Sequence, residues 1–131
     1  MTFSVLIVDD DPIFRTIVSE LLSPWFNCIE ADGGGAALEY LSAFPVDLII
    51  TDILMPDVDG LELIRSARTD GYHVPIIAVS GGGPGTAAEP LLASARAMGA
   101  EAVALKPINP PAFLRIVTEV LADAAASIAR S

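Results

Sequence analysis

Short apolar runs alternate with segments of helical periodicity along the chain. Residues 5–8 form a continuous apolar run in which three of four residues are β-branched, which predicts a strand buried on both faces. A helix is predicted next, because Asp11 can cap a helix that begins at Pro12 and apolar residues recur at helical spacing. Pro24 ends this helix. Its predicted buried face consists of Ile13, Phe14, Ile17, Val18, Leu21 and Leu22.

The same alternation continues to the end of the chain. Further strands are predicted at residues 27–31, 46–51, 76–79 and 102–105. Helices are predicted at residues 36–43, from Asp59, at residues 86–98 with Gly99 just past the end, and from Asn109. Buried strands joined by helical crossovers predict an α/β fold of five βα units, in which a doubly wound parallel sheet is covered on both faces. Ligand sites of such sheets lie at the carboxyl ends of the strands.

The predicted strand ends carry charged and hydroxyl side chains. Asp9 and Asp10 follow the first strand, Asp52 ends the third, Ser80 the fourth, and Lys106, the only lysine, follows the fifth. Two carboxylates about 4 Å apart repel by roughly 4 kcal/mol at an effective dielectric constant near 20, so such a cluster either protonates in part or binds a cation. An all-oxygen set suits Mg²⁺. A carboxylate can also act as a nucleophile towards phosphorus, with cations neutralising the phosphoryl oxygens.

Composition narrows the classes of function. The chain has 131 residues, enough for one domain, and 53% of them are hydrophobic, which excludes a disordered chain. A net charge of −10 argues against direct binding to nucleic acid or to an anionic membrane. The start of the chain does not have the pattern of a secretory signal, no apolar stretch predicts a membrane span, and the single cysteine, Cys28, forms no internal disulfide. We therefore expect a cytoplasmic protein.

Three segments together resemble the receiver domain of bacterial response regulators. They read VLIVDDDP, LIITDILMPDVDG and GAEAVALKP, and the resemblance spans residues 4–121. It implies a flavodoxin-like sheet with strand order 2-1-3-4-5 and a receiver domain over residues 1–124. The alanine-rich end of the chain predicts a frayed tail over residues 125–131. It also implies two-component signalling rather than ordinary enzyme activity.

The resemblance implies a magnesium site. By position, Asp52 matches the aspartate that accepts the phosphoryl group. Asp9 and Asp10 match the acidic pair that holds Mg²⁺, Asp10 directly and Asp9 through water, and Leu54 would offer its backbone carbonyl to the same ion.

The resemblance also implies a switch. Ser80 matches the switch hydroxyl and Lys106 the lysine that pairs with the phosphate, and the bond between Lys106 and Pro107 is expected to be cis. The phosphoryl donor would be a histidine kinase or a histidine phosphotransfer protein. Phosphorylation would alter the binding of a downstream protein through the face formed by the fourth helix, the fifth strand and the fifth helix, which is also the usual homodimer surface in similar proteins.

Two features depart from the family pattern. Val103 stands where the family often has an aromatic residue that rotates inward on activation. Ser80 is followed by four glycines within residues 81–85, which predicts a longer and mobile loop beside the phosphorylation site.

Two other functions remain open from the sequence. A receiver fold could serve as a scaffold or dimerisation module without phosphorylation. Alternatively, Asp9 and Asp11 have the spacing of a magnesium-dependent aspartyl phosphatase with its nucleophile on the first strand, although Pro12 follows the pair and the chain leaves no room for a cap domain. Arg65 and Arg68 are predicted to lie on the outer, solvated face of the third helix.

Overall fold

The computed structural model describes residues 2–81 and 88–130. Its five strands form one parallel sheet in the order β2-β1-β3-β4-β5, which confirms the predicted fold and strand order. The strands are β1 (Ser4–Val8), β2 (Asn27–Ala31), β3 (Leu48–Asp52), β4 (Ile76–Ser80) and β5 (Ala102–Leu105). The helices are α1 (Pro12–Leu22), α2 (Gly34–Ala43), α3 (Gly60–Thr69), α4 (Ala88–Ala97) and α5 (Pro110–Arg130).

The sheet has a hydrophobic cluster on each face, because successive residues of a strand point to opposite faces. Leu6, Val8 and Ile49 contribute to the cluster beneath α2, α3 and α4. Val5 and Ile7 contribute to the cluster beneath α1 and α5. β3 and β4 are buried at every position, as expected for central strands of a sheet covered on both faces.

The buried face of α1 is narrower than predicted. Only Phe14, Val18 and Leu22 are buried, whereas Ile13 is 69% exposed and Ile17 47% exposed. The prediction that these two isoleucines face the core was wrong, because α1 packs a single stripe of side chains against the sheet rather than the whole apolar arc.

The second helix begins two residues earlier than predicted. α2 begins at Gly34, where a Cβ would meet Val58 of the β3–α3 connection. Gly99 has a φ of +116°, which confirms its predicted place just past the fourth helix. The predicted start of that helix at Thr86, and the predicted mobile loop from residue 82 onward, lie outside the described residues.

The last helix is long. α5 extends to Arg130, so residues 125–130 are its final turns, and the fraying predicted for them stays a prediction. Within residues 2–81 and 88–130, no helix combines the length and the apolar character needed to cross a membrane.

Candidate functional site

Asp9 is fixed by its main chain at the end of β1. It is fully buried, and its N–H donates to the carbonyl of Ala31 at 3.1 Å. Its own carbonyl accepts from Nη1 of Arg15 at 2.6 Å, and its carboxylate Oδ1 accepts from the N–H of Asp11 at 2.9 Å. The turn between β1 and α1 is therefore built around this residue.

Asp52 lies at the end of β3 and is 7% exposed. One carboxylate oxygen of Asp52 lies within 4.8 Å of one oxygen each from Asp9 and Asp10. Asp10 is exposed, so the cluster has two buried carboxylates and one that reaches solvent. Parallel pairing of β1 with β3 brings these residues together across 43 positions of sequence, Val8 lying opposite Thr51.

Lys106 connects the acids to the far edge of the sheet. Its Nζ lies 2.8 Å from Oδ2 of Asp9 and 3.6 Å from Oδ1 of Asp52. Its backbone N–H donates to the carbonyl of Ser80 at 2.9 Å. The ammonium also lies 4.2 Å from the centre of the Phe14 ring.

The pKa of Asp52 is raised to about 6. Burial is the main cause, and the charge of Asp9 adds to it. Lys106 and the N–H of Ile53 act in the opposite direction. At neutral pH Asp52 is mostly ionised, at a cost that a cation in the site would reduce.

The charges of the cluster fit a divalent cation. Three carboxylates and one ammonium leave two negative charges uncompensated, equal and opposite to the charge of Mg²⁺. The ligand atoms are all oxygens, as Mg²⁺ prefers, and few in number, so that water and a phosphoryl oxygen can complete the coordination.

A match over most of the chain decides its family. The model of the response regulator receiver domain matches residues 5–118. This chain belongs to that family. Receiver domains are in general non-enzymatic signalling modules that accept phosphoryl groups from histidine kinases and bind Mg²⁺ at an acidic pocket.

Relatives include both short and long proteins. This receiver is 34% identical to the two-component response regulator ORR5 of Oryza sativa subsp. japonica over 89% of its own length and 87% of the relative's. It is 37% identical to the regulator of RpoS of Escherichia coli (strain K12), but spans only 30% of that protein. It spans only 18% of a probable cyclic di-GMP phosphodiesterase of Vibrio cholerae, at 35% identity.

Solved receiver structures superpose closely. A CheY-like receiver domain protein from Methanospirillum hungatei gives a TM-score of 0.87 at 25% identity, covering 97% of this chain and 99% of the other. The chemotaxis protein CheY4 of Vibrio cholerae gives 0.79 at 28% identity, covering 92% and 99%.

The remaining predicted site residues lie at or near the ends of β3, β4 and β5. Ser80 is 1% exposed at the end of β4, and its hydroxyl donates to the carbonyl of Gly81 at 3.5 Å. Leu54 lies just past the end of β3 with a side chain that is 60% exposed. The bond between Lys106 and Pro107 is cis, as predicted. Val103 is half-buried and packs against the core beneath α2, α3 and α4.

Sequence reasoning missed two residues of the receiver's site. Phe14 was predicted only as a core residue, yet its ring lies against the ammonium of Lys106. Arg15 holds the carbonyl of Asp9 while its Nε donates to Glu30 at 3.1 Å. Arg15 lies one turn into α1, the helix that directly follows the acidic residues, and that position could have indicated its contact with Asp9.

Proposed function

We propose that this receiver domain accepts a phosphoryl group on Asp52 from the phosphohistidine of a histidine kinase or of a histidine phosphotransfer protein. The observation that carries the proposal is the meeting of Asp52 with Asp9, Asp10 and Lys106 in one cluster of charged side chains. Asp52 is the member that lies at the end of a central strand without a short hydrogen bond to an ammonium, which leaves its carboxylate available as the nucleophile.

The transfer conserves atoms and charge. A carboxylate oxygen of Asp52 forms a bond to phosphorus as the bond between phosphorus and the donor's imidazole nitrogen breaks. The electron pair of the broken bond stays on that nitrogen, and the imidazole is protonated from solvent as needed. The product is an acyl phosphate on Asp52. Because the pKa of Asp52 is about 6, the nucleophilic carboxylate is the main form at neutral pH.

Magnesium would be held by the acidic residues. Asp10 is the exposed member of the cluster, which suits a direct ligand of an ion that enters from solvent with its waters. Asp9 is engaged by Lys106 and by the N–H of Asp11, which suits contact through water. Asp52 and the carbonyl of Leu54 would complete the protein's ligands. The ion supplies charge neutralisation on the phosphoryl oxygens.

Lys106 and Ser80 would read the new phosphoryl group. The group adds charge and strong acceptor oxygens, so the ammonium of Lys106 and the hydroxyl of Ser80 gain a new partner beside Asp52. Ser80 ends β4, Lys106 directly follows β5, and the N–H of Lys106 donates to the carbonyl of Ser80. A displacement of either residue would therefore shift the ends of both β4 and β5.

The output would pass through the face of α4, β5 and α5. β5 is an edge strand, and Leu105, next to Lys106, is 46% exposed. Val103 cannot make the swing of an aromatic ring, so we propose that partner binding here follows from displacement of the strand ends. A downstream protein, or a second copy of the domain, would bind to this face.

Incubation with acetyl phosphate and Mg²⁺, followed by mapping of the modified residue by mass spectrometry, tests the function. We expect label on Asp52, none in Asp52→Asn, and full label in Asp57→Asn, which removes an exposed acid whose positive φ asparagine tolerates. Label on Asp9 would instead support the aspartyl phosphatase. Absence of label with acetyl phosphate and with candidate kinases would support the scaffold.

A further inference from the structure

The ammonium of Lys106 has three kinds of neighbour. Oδ2 of Asp9 accepts a hydrogen bond from Nζ at 2.8 Å. Oδ1 of Asp52 lies at 3.6 Å, beyond hydrogen-bond length. The third neighbour is the ring of Phe14, whose centre is 4.2 Å away. A lysine side chain is flexible and its ammonium is a point charge, so these three groups together define where Nζ sits.

The ring of Phe14 is itself firmly held. Phe14 is 8% exposed and belongs to the core beneath α1 and α5. Asp11 caps the helix that carries it, accepting from the N–H of Ile13 at 3.0 Å. A leucine at this position would also be an apolar core residue, so burial in the core does not by itself require an aromatic ring. What only an aromatic residue adds is the negative face of the ring, which attracts an ammonium.

The environment of Lys106 favours that attraction. The Lys106 side chain is 22% exposed, and cation–π contacts strengthen as the cation is desolvated.

We propose that Phe14 is a positioning residue that holds the ammonium of Lys106 beside Asp9 and within reach of Asp52. This placement of Nζ does not depend on the proposed function. The consequence for phosphorylation rests on the proposed function: an ammonium placed beforehand near the reacting oxygen assists transfer more than one that must first be ordered. Phe14→Leu is then expected to release Lys106 and slow phosphorylation, while Phe14→Tyr, which keeps the ring face, restores both.

The contact between the Phe14 ring and the Lys106 ammonium can be measured directly. Lys106 is the only lysine of the chain, so protein labelled with ¹³C-lysine shows a single Cε–Hε signal in a heteronuclear NMR spectrum. In the wild type we expect the ring current of Phe14 to shift this signal upfield, because the ammonium lies over the ring at 4.2 Å from its centre. We expect a downfield movement in Phe14→Leu, a wild-type position in Phe14→Tyr, and no movement in Phe26→Leu. Phe26 packs on the same core but lies next to the amino end of β2, away from the site.

The effect of Phe14 on phosphorylation is measured as the initial rate of phosphate incorporation from acetyl phosphate at saturating Mg²⁺. We expect a several-fold decrease in Phe14→Leu, a near wild-type rate in Phe14→Tyr, and an unchanged rate in Phe26→Leu. An unmoved lysine signal in Phe14→Leu would overturn the proposal, as would an equal loss of rate in the tyrosine or Phe26 variants. If the wild type incorporates no phosphate, the proposed function fails, and the lysine signal still decides whether the ring of Phe14 lies against Lys106.

Discussion

Gly60 packs directly against the main chain of Asp52. A Cβ on Gly60 would overlap the carbonyl oxygen of Asp52 and would lie 2.7 Å from the Cα of Ile53. The N–H of Gly60 donates to the carbonyl of Ile53 at 2.8 Å, and Asp59 caps α3 by accepting from the N–H of Glu62 at 2.9 Å. The first residue of α3 is thus pressed onto the strand end that carries the central carboxylate.

Gly60→Ala is therefore expected to destabilise the domain. The added methyl group meets backbone rather than a movable side chain, and overpacking of this kind costs about 1–3 kcal/mol of the free energy of unfolding. Gly35→Ala is the matched control, since nothing lies within 4 Å of a Cβ there and alanine favours a helix over glycine. Urea unfolding of both variants makes the measurement. Equal midpoints for the two would refute the close contact.

Arg68 acts as a clamp at the opposite end of the sheet. The sequence predicted a solvated side chain, and that interpretation was wrong. Nη1 donates to the carbonyls of Tyr72 at 3.0 Å and Val74 at 2.8 Å. Nη2 donates to the carbonyl of Gly99 at 3.0 Å and to Glu101 at 3.0 Å. One guanidinium thus joins α3 to the segments that lead into β4 and β5.

Arg68→Met is expected to lower the free energy of unfolding by about 2–4 kcal/mol, because methionine keeps the apolar stem but leaves three partly buried carbonyls without their donor. Arg65→Met removes an exposed charge from the same helix and should change stability by less than about 0.5 kcal/mol. Chemical denaturation compares them. A small effect of Arg68→Met would mean that water replaces the guanidinium without loss.

The sequence predicted the sheet well because its strands are buried on both faces and so appear as continuous apolar runs. The convergence of Asp9, Asp10, Asp52 and Lys106 was predictable for a related reason: the carboxyl ends of parallel strands meet at one edge. Those two rules need only the order of elements along the chain.

The exposure of individual helix residues and the contacts between distant side chains could not be predicted from the sequence, because they depend on how the helices pack on the sheet. Nothing in a helical pattern distinguishes Ile13, which is exposed, from Phe14, which is buried one residue later. Arg68 was misplaced because most of its partners are main-chain carbonyls, which carry no sequence signal. The contact of Phe14 with Lys106 joins residues on α1 and after β5, a pairing that only the packing of the helix on the sheet creates.

Magnesium should stabilise the folded domain. Binding to the folded state alone adds about 1.4 kcal/mol at an ion concentration ten times the dissociation constant, which appears as an increase in Tm. We expect this increase in the wild type and in Asp11→Asn, where asparagine can still cap α1, and a much smaller one in Asp10→Asn. Thermal unfolding with and without MgCl₂ tests this. A similar increase in Asp10→Asn would place the ion elsewhere.

The raised pKa of Asp52 makes the stability of the metal-free domain depend on pH. The carboxyl has a pKa near 3.8 when unperturbed and about 6 in the folded protein, so between these values the folded state binds more protons than the unfolded state. Stability contributed by this group therefore decreases as the pH rises from about 4 to 6, and the penalty is complete above that window. Burial and the charge of Asp9 raise the pKa of Asp52 and so cause this penalty, and Lys106 offsets them only in part.

Asp52→Asn removes the ionisation and with it the penalty. In the absence of Mg²⁺ we expect this variant to be more stable than the wild type at pH 7 by about 1–3 kcal/mol, since one pKa unit corresponds to about 1.4 kcal/mol. The difference should shrink towards zero near pH 4, where the wild-type carboxyl is protonated in the folded state. Urea unfolding at a series of pH values, with Asp57→Asn as the charge-matched control, measures it. A difference between wild type and Asp52→Asn that does not change with pH would show that Asp52 ionises in the folded protein as it does in water.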